Sequence, residues 1–289
     1  MDLELIDKVK KITIITLVSD DYLMDKLVLK GGNAINVIYN LSHRASIDLD
    51  YSIQDDFEKE ELENIKDKIE RLLKDSFEKE GYKLFDYEFY YKPKKMHKKT
   101  QSFWGSYNID FKLIPLSQYA ELKQDTEALR RNSLVLGSRN KKKYTVEISK
   151  FEFCEGKQPT DIEGYTLYVY TPEMIVIEKL RAICQQVPEY KKIVKTMTSK
   201  SRAEDFFDIY VLSEHFNINL NTKENIDLLR NIFEAKKVPL EYLGRIGETK
   251  AQHKESFIKV QETTSSKEPL KNFDFYFEYV VNLAKNINL

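Results

Sequence analysis

Leu29-Lys30-Gly31-Gly32-Asn33-Ala34, followed by Arg44-Ala45-Ser46-Ile47-Asp48-Leu49-Asp50-Tyr51, is the stretch on which the reading turns. The glycine pair reads as a turn opening a helix over about 32–41, because Ala34, Ile35, Val37, Ile38 and Leu41 recur at helical spacing. The second segment reads as a strand. Side chains two residues apart then share a face, so Asp48 and Asp50 point one way while Ile47, Leu49 and Tyr51 face the interior. Neighbouring carboxylates repel unless a cation sits between them, and Mg²⁺ held by carboxylates and substrate phosphates meets that need. Exposed amides at the helix start suit an anionic phosphate. A phosphate cradle beside a divalent-metal site is the equipment of nucleotidyl transfer. Taken singly, the glycines are a turn and the acids a solvated patch; their order and context carry the reading.

Lys30-Gly31-Gly32-Asn33-Ala34 with Arg44-x-Ser46-x-Asp48-x-Asp50 resembles the signature of the AbiEii/AbiGii toxin family. These are polymerase-β-like nucleotidyltransferases of bacterial type IV toxin–antitoxin and abortive-infection (phage-defence) systems. The departure is Asn33, where such families place Ser or Thr; an amide also hydrogen-bonds a phosphate oxygen. The resemblance spans about residues 25–215. It implies an α/β (α+β) fold, a polymerase-β-like nucleotidyltransferase sheet flanked by helices and followed by a helical C-terminal domain. It also implies that Lys30, Gly31, Gly32, Asn33, Arg44 and Ser46 bind the nucleotide.

At 289 residues, 42% hydrophobic and 32% charged, the chain reads as one or two ordinary globular domains. A net charge of −1 gives no global pull toward nucleic acid, so any RNA contact must be local. Cys154 and Cys184 lack metal-ligand spacing and read as reduced, apolar-packed residues of a cytoplasmic protein. The apolar run Ile12 to Val18 is too short to span a bilayer. His43, His97, His215 and His253 are scattered, which argues against a zinc site or a histidine-based triad, and no Walker or Rossmann glycine fingerprint occurs.

Residues 2–19 and 57–80 read as helices, the second with Leu62, Ile65, Ile69, Leu72, Leu73 and Phe77 inward and Gly81 at its end. The period then changes to two over Phe85–Tyr91, Gln101–Leu113, Lys143–Phe153 and Leu167–Tyr170. Thr171-Pro172 supplies an N-cap and a first helical residue for a helix to about Gln186. Helical patterns follow over 199–216, 222–235, 239–247, 252–261 and 270–287. The expected division is a catalytic domain over 1–170 and a mainly helical domain over 171–289.

Two-metal phosphoryl chemistry wants a third carboxylate. Glu147 in Tyr144-Thr145-Val146-Glu147-Ile148-Ser149 and Asp110 in Tyr107-Asn108-Ile109-Asp110-Phe111 both fit, and the resemblance favours Glu147. Asp48, Asp50 and Glu147 are then the expected ligands of Mg²⁺, or of Mn²⁺ in its place. Farther on, Ile177-Glu178-Lys179-Leu180-Arg181 and Arg202-Ala203-Glu204-Asp205-Phe206-Phe207-Asp208 resemble the family's distal motifs. In that family the lysine contacts the nucleotide and the aspartate orients catalytic groups, which gives Lys179 and Asp205 catalytic roles and adds Lys179, Arg202 and Asp208 to the nucleotide site. Read without the resemblance, Lys179 snorkels outward, Arg202 pairs with Asp205 within one helix, and Ser201 with Glu204 forms a capping box.

Lys92-Pro93-Lys94-Lys95-Met96-His97-Lys98-Lys99 and Lys141-Lys142-Lys143 are dense positive runs, the second at an expected hairpin tip. Each is either a solvated loop or an RNA contact, the first with Tyr90, Tyr91, Phe103 and Trp104 beside it for base stacking. The resemblance implies transfer of a nucleotide from an NTP to RNA, with the tRNA 3′ end as acceptor and a separately encoded antitoxin as partner. The alternative is a nucleotide- or RNA-binding module that keeps the fold without turnover.

Overall fold

The computed structural model describes residues 2–39, 41, 48–95, 97–137, 140–264 and 270–289. Asp2 caps α1 (Leu3–Val18) by accepting the Leu5 N–H, and Asp20 caps α2 (Asp21–Lys26) through Leu23. A three-residue strand, β1 (Val28–Lys30), leads into one α turn, α3 (Gly31–Asn33), which continues as a π-helical turn over Ala34–Ile38. β2 (Leu49–Ser52) carries Asp50 and buries Leu49 and Tyr51 completely. Next comes α4 (Leu62–Lys79), with Leu62, Ile65, Ile69, Leu73 and Phe77 buried at helical spacing. It starts later than its periodicity predicts because Phe57 is buried, stacked on Tyr107 with ring centroids 5.3 Å apart.

β3 (Tyr82–Lys92) and β4 (Ser106–Pro115) pair antiparallel, and residues 101–105, expected in the strand, remain outside it. Two short helices, α5 (Leu116–Leu122) and α6 (Thr126–Asn132), then lead to β5 (Tyr144–Ser149), so the Lys141–Lys143 run is not a hairpin tip. β5 alternates as its sequence predicts, with Tyr144, Val146 and Ile148 fully buried. It stops before Phe151, whose φ of +56° breaks the ladder. β6 (Gln158–Ile162) and β7 (Tyr165–Val169) form a hairpin.

Among the described residues, seven strands join one mixed sheet in the order β3-β4-β5-β2-β1-β7-β6, with β5–β2 and β1–β7 parallel. Thr171 caps α7 (Pro172–Cys184), as its dipeptide predicts. The remaining helices are α8 (Ala203–Phe216), α9 (Lys223–Ala235), α10 (Lys250–Lys254), α11 (Phe257–Thr263) and α12 (Phe273–Lys285). The expected 239–247 helix is a 3₁₀ stretch over Leu240–Thr249. The Ser201/Glu204 capping box does not form. Arg202 is the α8 N-cap without a side-chain capping bond, while Ser201 Oγ donates 3.1 Å to the His253 carbonyl.

One cluster of buried hydrophobic residues runs from Val9 to Ile287 through both halves of the chain. Cys154 and Cys184 are free and buried within it, and burial pushes the Cys154 thiol up to about 12. Among the described residues no helix is long and apolar enough to cross a membrane.

Candidate active site

Strand register places the site. Lys30 on β1, Asp50 on β2, Glu147 on β5, Asn108 on β4 and Tyr90 on β3 are successive cross-strand partners and form one row across the sheet. Partners in register share a face, so the Asp50 and Glu147 carboxyls project side by side. Gly31 adjoins Asp50 closely. Its φ is +68°, and a Cβ there would stand 3.0 Å from Asp50 Oδ2. Glycine is required on both counts.

Burial, and then the charges of Glu147 and Asp48, push the Asp50 carboxyl up to about 7 against the opposing pull of Lys30. Glu147 goes the other way. Burial alone would raise it, but Lys92, with help from Lys30 and Lys200, holds it below the ordinary range. Lys92 Nζ donates to Glu147 at 3.1 Å. Asp48 lies at the bend before β2 and accepts two bonds from Lys141 Nζ, at 2.7 and 2.9 Å. The Asn33 amide donates to the Asp48 carbonyl, fixing the glycine turn against this bend. Asp110 sits one row away, opposite Thr145, and accepts from Lys143 (2.7 Å) and Tyr90 (2.8 Å).

The three expected metal ligands therefore do not converge as a set. Among the described residues, no group of three or more His, Cys, Asp or Glu is placed to hold a metal ion. Asp48 is turned to Lys141, whereas Asp50 and Glu147 are adjacent. The donor chemistry of that pair fits a divalent cation: two oxygen ligands, one in a half-buried carboxyl whose charge is disfavoured by desolvation and by its acidic neighbours. Arg44 and Ser46, expected at the nucleotide site, lie outside the described residues.

Glu147 opens onto a cavity of about 270 Å³. Lys30, Ser106, Ser149 and Glu152 line it from the sheet side, and Glu178, Arg181 and Gln185 from α7, with Lys92, Lys200, Arg202 and Lys236 completing its charge. Six of its lining residues are cationic and three are anionic. At the buried end Glu152 takes Arg181 at 2.9 Å, Lys30 at 3.4 Å and Lys236 at 3.5 Å. Burial opposes its charge, but these three cations hold the carboxyl far below its ordinary value. Lys236 is pushed down to about 8, by burial first and then by Arg181 and Lys30.

The distal motifs occupy a different environment. Lys179 is buried and contacts Asp205 at 2.7 Å and Asp208 at 2.9 Å, tying α7 to α8. It is not among the cavity-lining residues, whereas Arg202, 3.3 Å from Asp205, is. Glu152, Lys200 and Lys236 are cavity residues that sequence reasoning does not single out. For Glu152 a signal existed, since an acid in Phe151-Glu152-Phe153-Cys154 is an acid in an apolar run.

A mixed sheet that presents adjacent acids beside a glycine turn, at the edge of a cationic cavity, defines an α/β protein built to handle an anionic substrate. The family model described as "Nucleotidyl transferase AbiEii toxin, Type IV TA system" matches residues 16–279, and the chain belongs to that family. Membership implies a nucleoside triphosphate substrate and an antitoxin partner, and nucleotidyltransferases generally use divalent metals. Similar solved structures include a candidate nucleotidyltransferase from H. pylori, 16% identical, with 99% of this chain and 94% of that chain covered at a TM-score of 0.49. Another is JHP933 from Helicobacter pylori, 15% identical, with 96% and 88% covered at a TM-score of 0.48. A third is an antigenic nucleotidyltransferase-like protein from Paracoccidioides brasiliensis, 16% identical, with 79% and 93% covered at a TM-score of 0.33. A search of curated proteins returns no match.

Proposed function

We propose that this protein is a cytoplasmic toxin that transfers a nucleotide from an NTP to an RNA acceptor, with the tRNA 3′ end as the acceptor. The observation that carries the proposal is the Asp50–Glu147 pair, in register on adjacent strands, beside a glycine turn and a cationic cavity. Mg²⁺ held by Asp50 and Glu147, with Asp48 recruited from Lys141, would acidify the acceptor hydroxyl and neutralise charge building on the α-phosphate. Gly31 and Gly32, held by the Asn33 bond to the Asp48 carbonyl, would present the turn to the phosphates beside the start of β2. Lys179, Asp205 and Asp208 act through position, bracing α7 against α8 and so holding Arg202 at the cavity. The sheet-bearing 1–170 region supplies the carboxylates, and the 171–289 region supplies part of the cationic wall. The exposed lysines between β3 and β4 form the rim that meets RNA phosphates.

One observation favours the alternative of a binding module without turnover: lysines already engage Asp48 and Glu147. A single experiment separates the readings. Purified protein is incubated with Mg²⁺, each α-labelled NTP and total tRNA, beside Asp48→Ala. Label entering RNA with the native chain and absent with the variant supports transfer. Nucleotide binding without incorporation supports the module.

A further inference from the structure

The cavity mouth gathers cations that its own acids do not offset. Lys92 is engaged with Glu147, and Arg202 shares Asp205 with Lys179. Arg202 Nε is buried without a hydrogen-bond partner among the described residues. Lys200, exposed at the rim, forms no ion pair with a carboxylate among them. Its ammonium is held below its ordinary value by burial and then by Lys92 and Arg202, against the weaker pull of Glu147 and Asp50. The backbone that carries Lys200 and Arg202 is anchored. Lys200 N donates to Gln186 Oε1 at 2.8 Å, Ser201 Oγ to the His253 carbonyl at 3.1 Å, and Arg202 N to His253 Nδ1 at 3.1 Å. Three consecutive residues are thus pinned to the end of α7 and to α10. Preorganised cations near a reacting centre act most strongly where negative charge develops.

We propose that Lys200, together with Arg202 and Lys92, seats the β- and γ-phosphates of the nucleotide, with Lys200 stabilising the departing pyrophosphate. The inference rests on the transfer reading above. In that reaction the acceptor oxygen bonds to the α-phosphorus as the bond from the α-phosphorus to the bridging oxygen breaks. The electron pair leaves with pyrophosphate, and the hydroxyl proton passes to water. Lys92, Lys200 and Arg202 line the same cavity as Glu147. A polyphosphate suits the place better than an RNA backbone does, because the rim leads into a concave cavity and not onto an open face.

The test is isothermal titration of inorganic tripolyphosphate, and separately of tRNA, into the full chain and its Lys200→Ala, Lys200→Arg and Asp50→Asn variants in metal-free buffer. Lys200→Ala should weaken tripolyphosphate binding about tenfold, the scale of one charge-assisted hydrogen bond. Lys200→Arg should largely restore it, Asp50→Asn should retain it, and tRNA binding should not change. Unchanged tripolyphosphate binding in Lys200→Ala would overturn the inference, as would a loss confined to tRNA, which would make the rim an RNA contact. Lys200-dependent tripolyphosphate binding in a protein that labels no RNA would count against the transfer reading while supporting this one.

Discussion

Two charge clusters on this molecule differ in one respect. Around Lys179, every charge has a near partner: the ammonium lies 2.7 and 2.9 Å from Asp205 and Asp208, and Arg202 closes the group. In the sheet row, Asp50 faces Glu147 and is pushed up to about 7, while Glu147 draws Lys92 from the end of β3 and Asp48 draws Lys141 from the segment before β5. A buried cluster that balances internally is a structural joint, whereas one left unbalanced awaits a ligand. Under the proposed function, bracing falls to the distal motif and chemistry to the row.

Four predictions can break or sharpen that division. The largest effect is on stability. Lys179→Met leaves Asp205 and Asp208 buried together without their shared ammonium, and should cost about 3–5 kcal/mol in urea unfolding. A variant as stable as the native chain would remove the joint. Next, Asp50→Asn should lower RNA labelling by roughly 100-fold or more, on the scale of a lost electrostatic catalytic group. Its thermal midpoint should hold or rise, since a disfavoured half-buried charge is gone; unfolding of this variant would give Asp50 a structural role.

The third concerns acid. Buried His253 accepts the Arg202 N–H and packs on Phe206 with ring centroids 5.2 Å apart. Burial first, and Arg202 second, push it down to about 4 against the pull of Asp205. An unfolded histidine titrates near 6.5. Between these values the unfolded chain binds the extra proton, so stability is full above about pH 6.5 and falls as pH drops toward 4. The loss should be on the order of 2 kcal/mol by pH 4.5, and His253→Gln should flatten that part of the stability–pH curve. The smallest effect is at Asp48. Lys141→Ala removes a half-exposed competitor for the carboxylate, so Mn²⁺ should bind up to about fivefold tighter by titration calorimetry. Weaker binding would mean that Lys141 supports the site.

Much of the architecture is legible in the chain. The Tyr144–Ser149 alternation, the α4 stripe and the Thr171-Pro172 start each write their structure locally, because one face of each element is buried. β1 is not legible as a strand: three residues are too few to show a period, and its place between β2 and β7 is set by pairing. The Asp50–Glu147 row needed the register of strands nearly 100 residues apart, so the sequence offered two candidate acids and the sheet distinguishes their rows. The cavity was the least legible part. Lys236 follows an amphipathic helix and reads as a surface residue, yet its ammonium is buried against Glu152 by a contact no local pattern encodes. Ser201 shows the opposite failure. Its spacing to Glu204 spells a cap, but its hydroxyl goes to the 253–256 segment.

The most direct test of the central claim is anomalous diffraction from crystals grown with Mn²⁺ and a non-hydrolysable NTP analogue. A manganese peak is expected between the Asp50 and Glu147 carboxylates, with the analogue's phosphates toward Lys200. Manganese bound elsewhere, with Asp50 and Glu147 left uncoordinated, would contradict it.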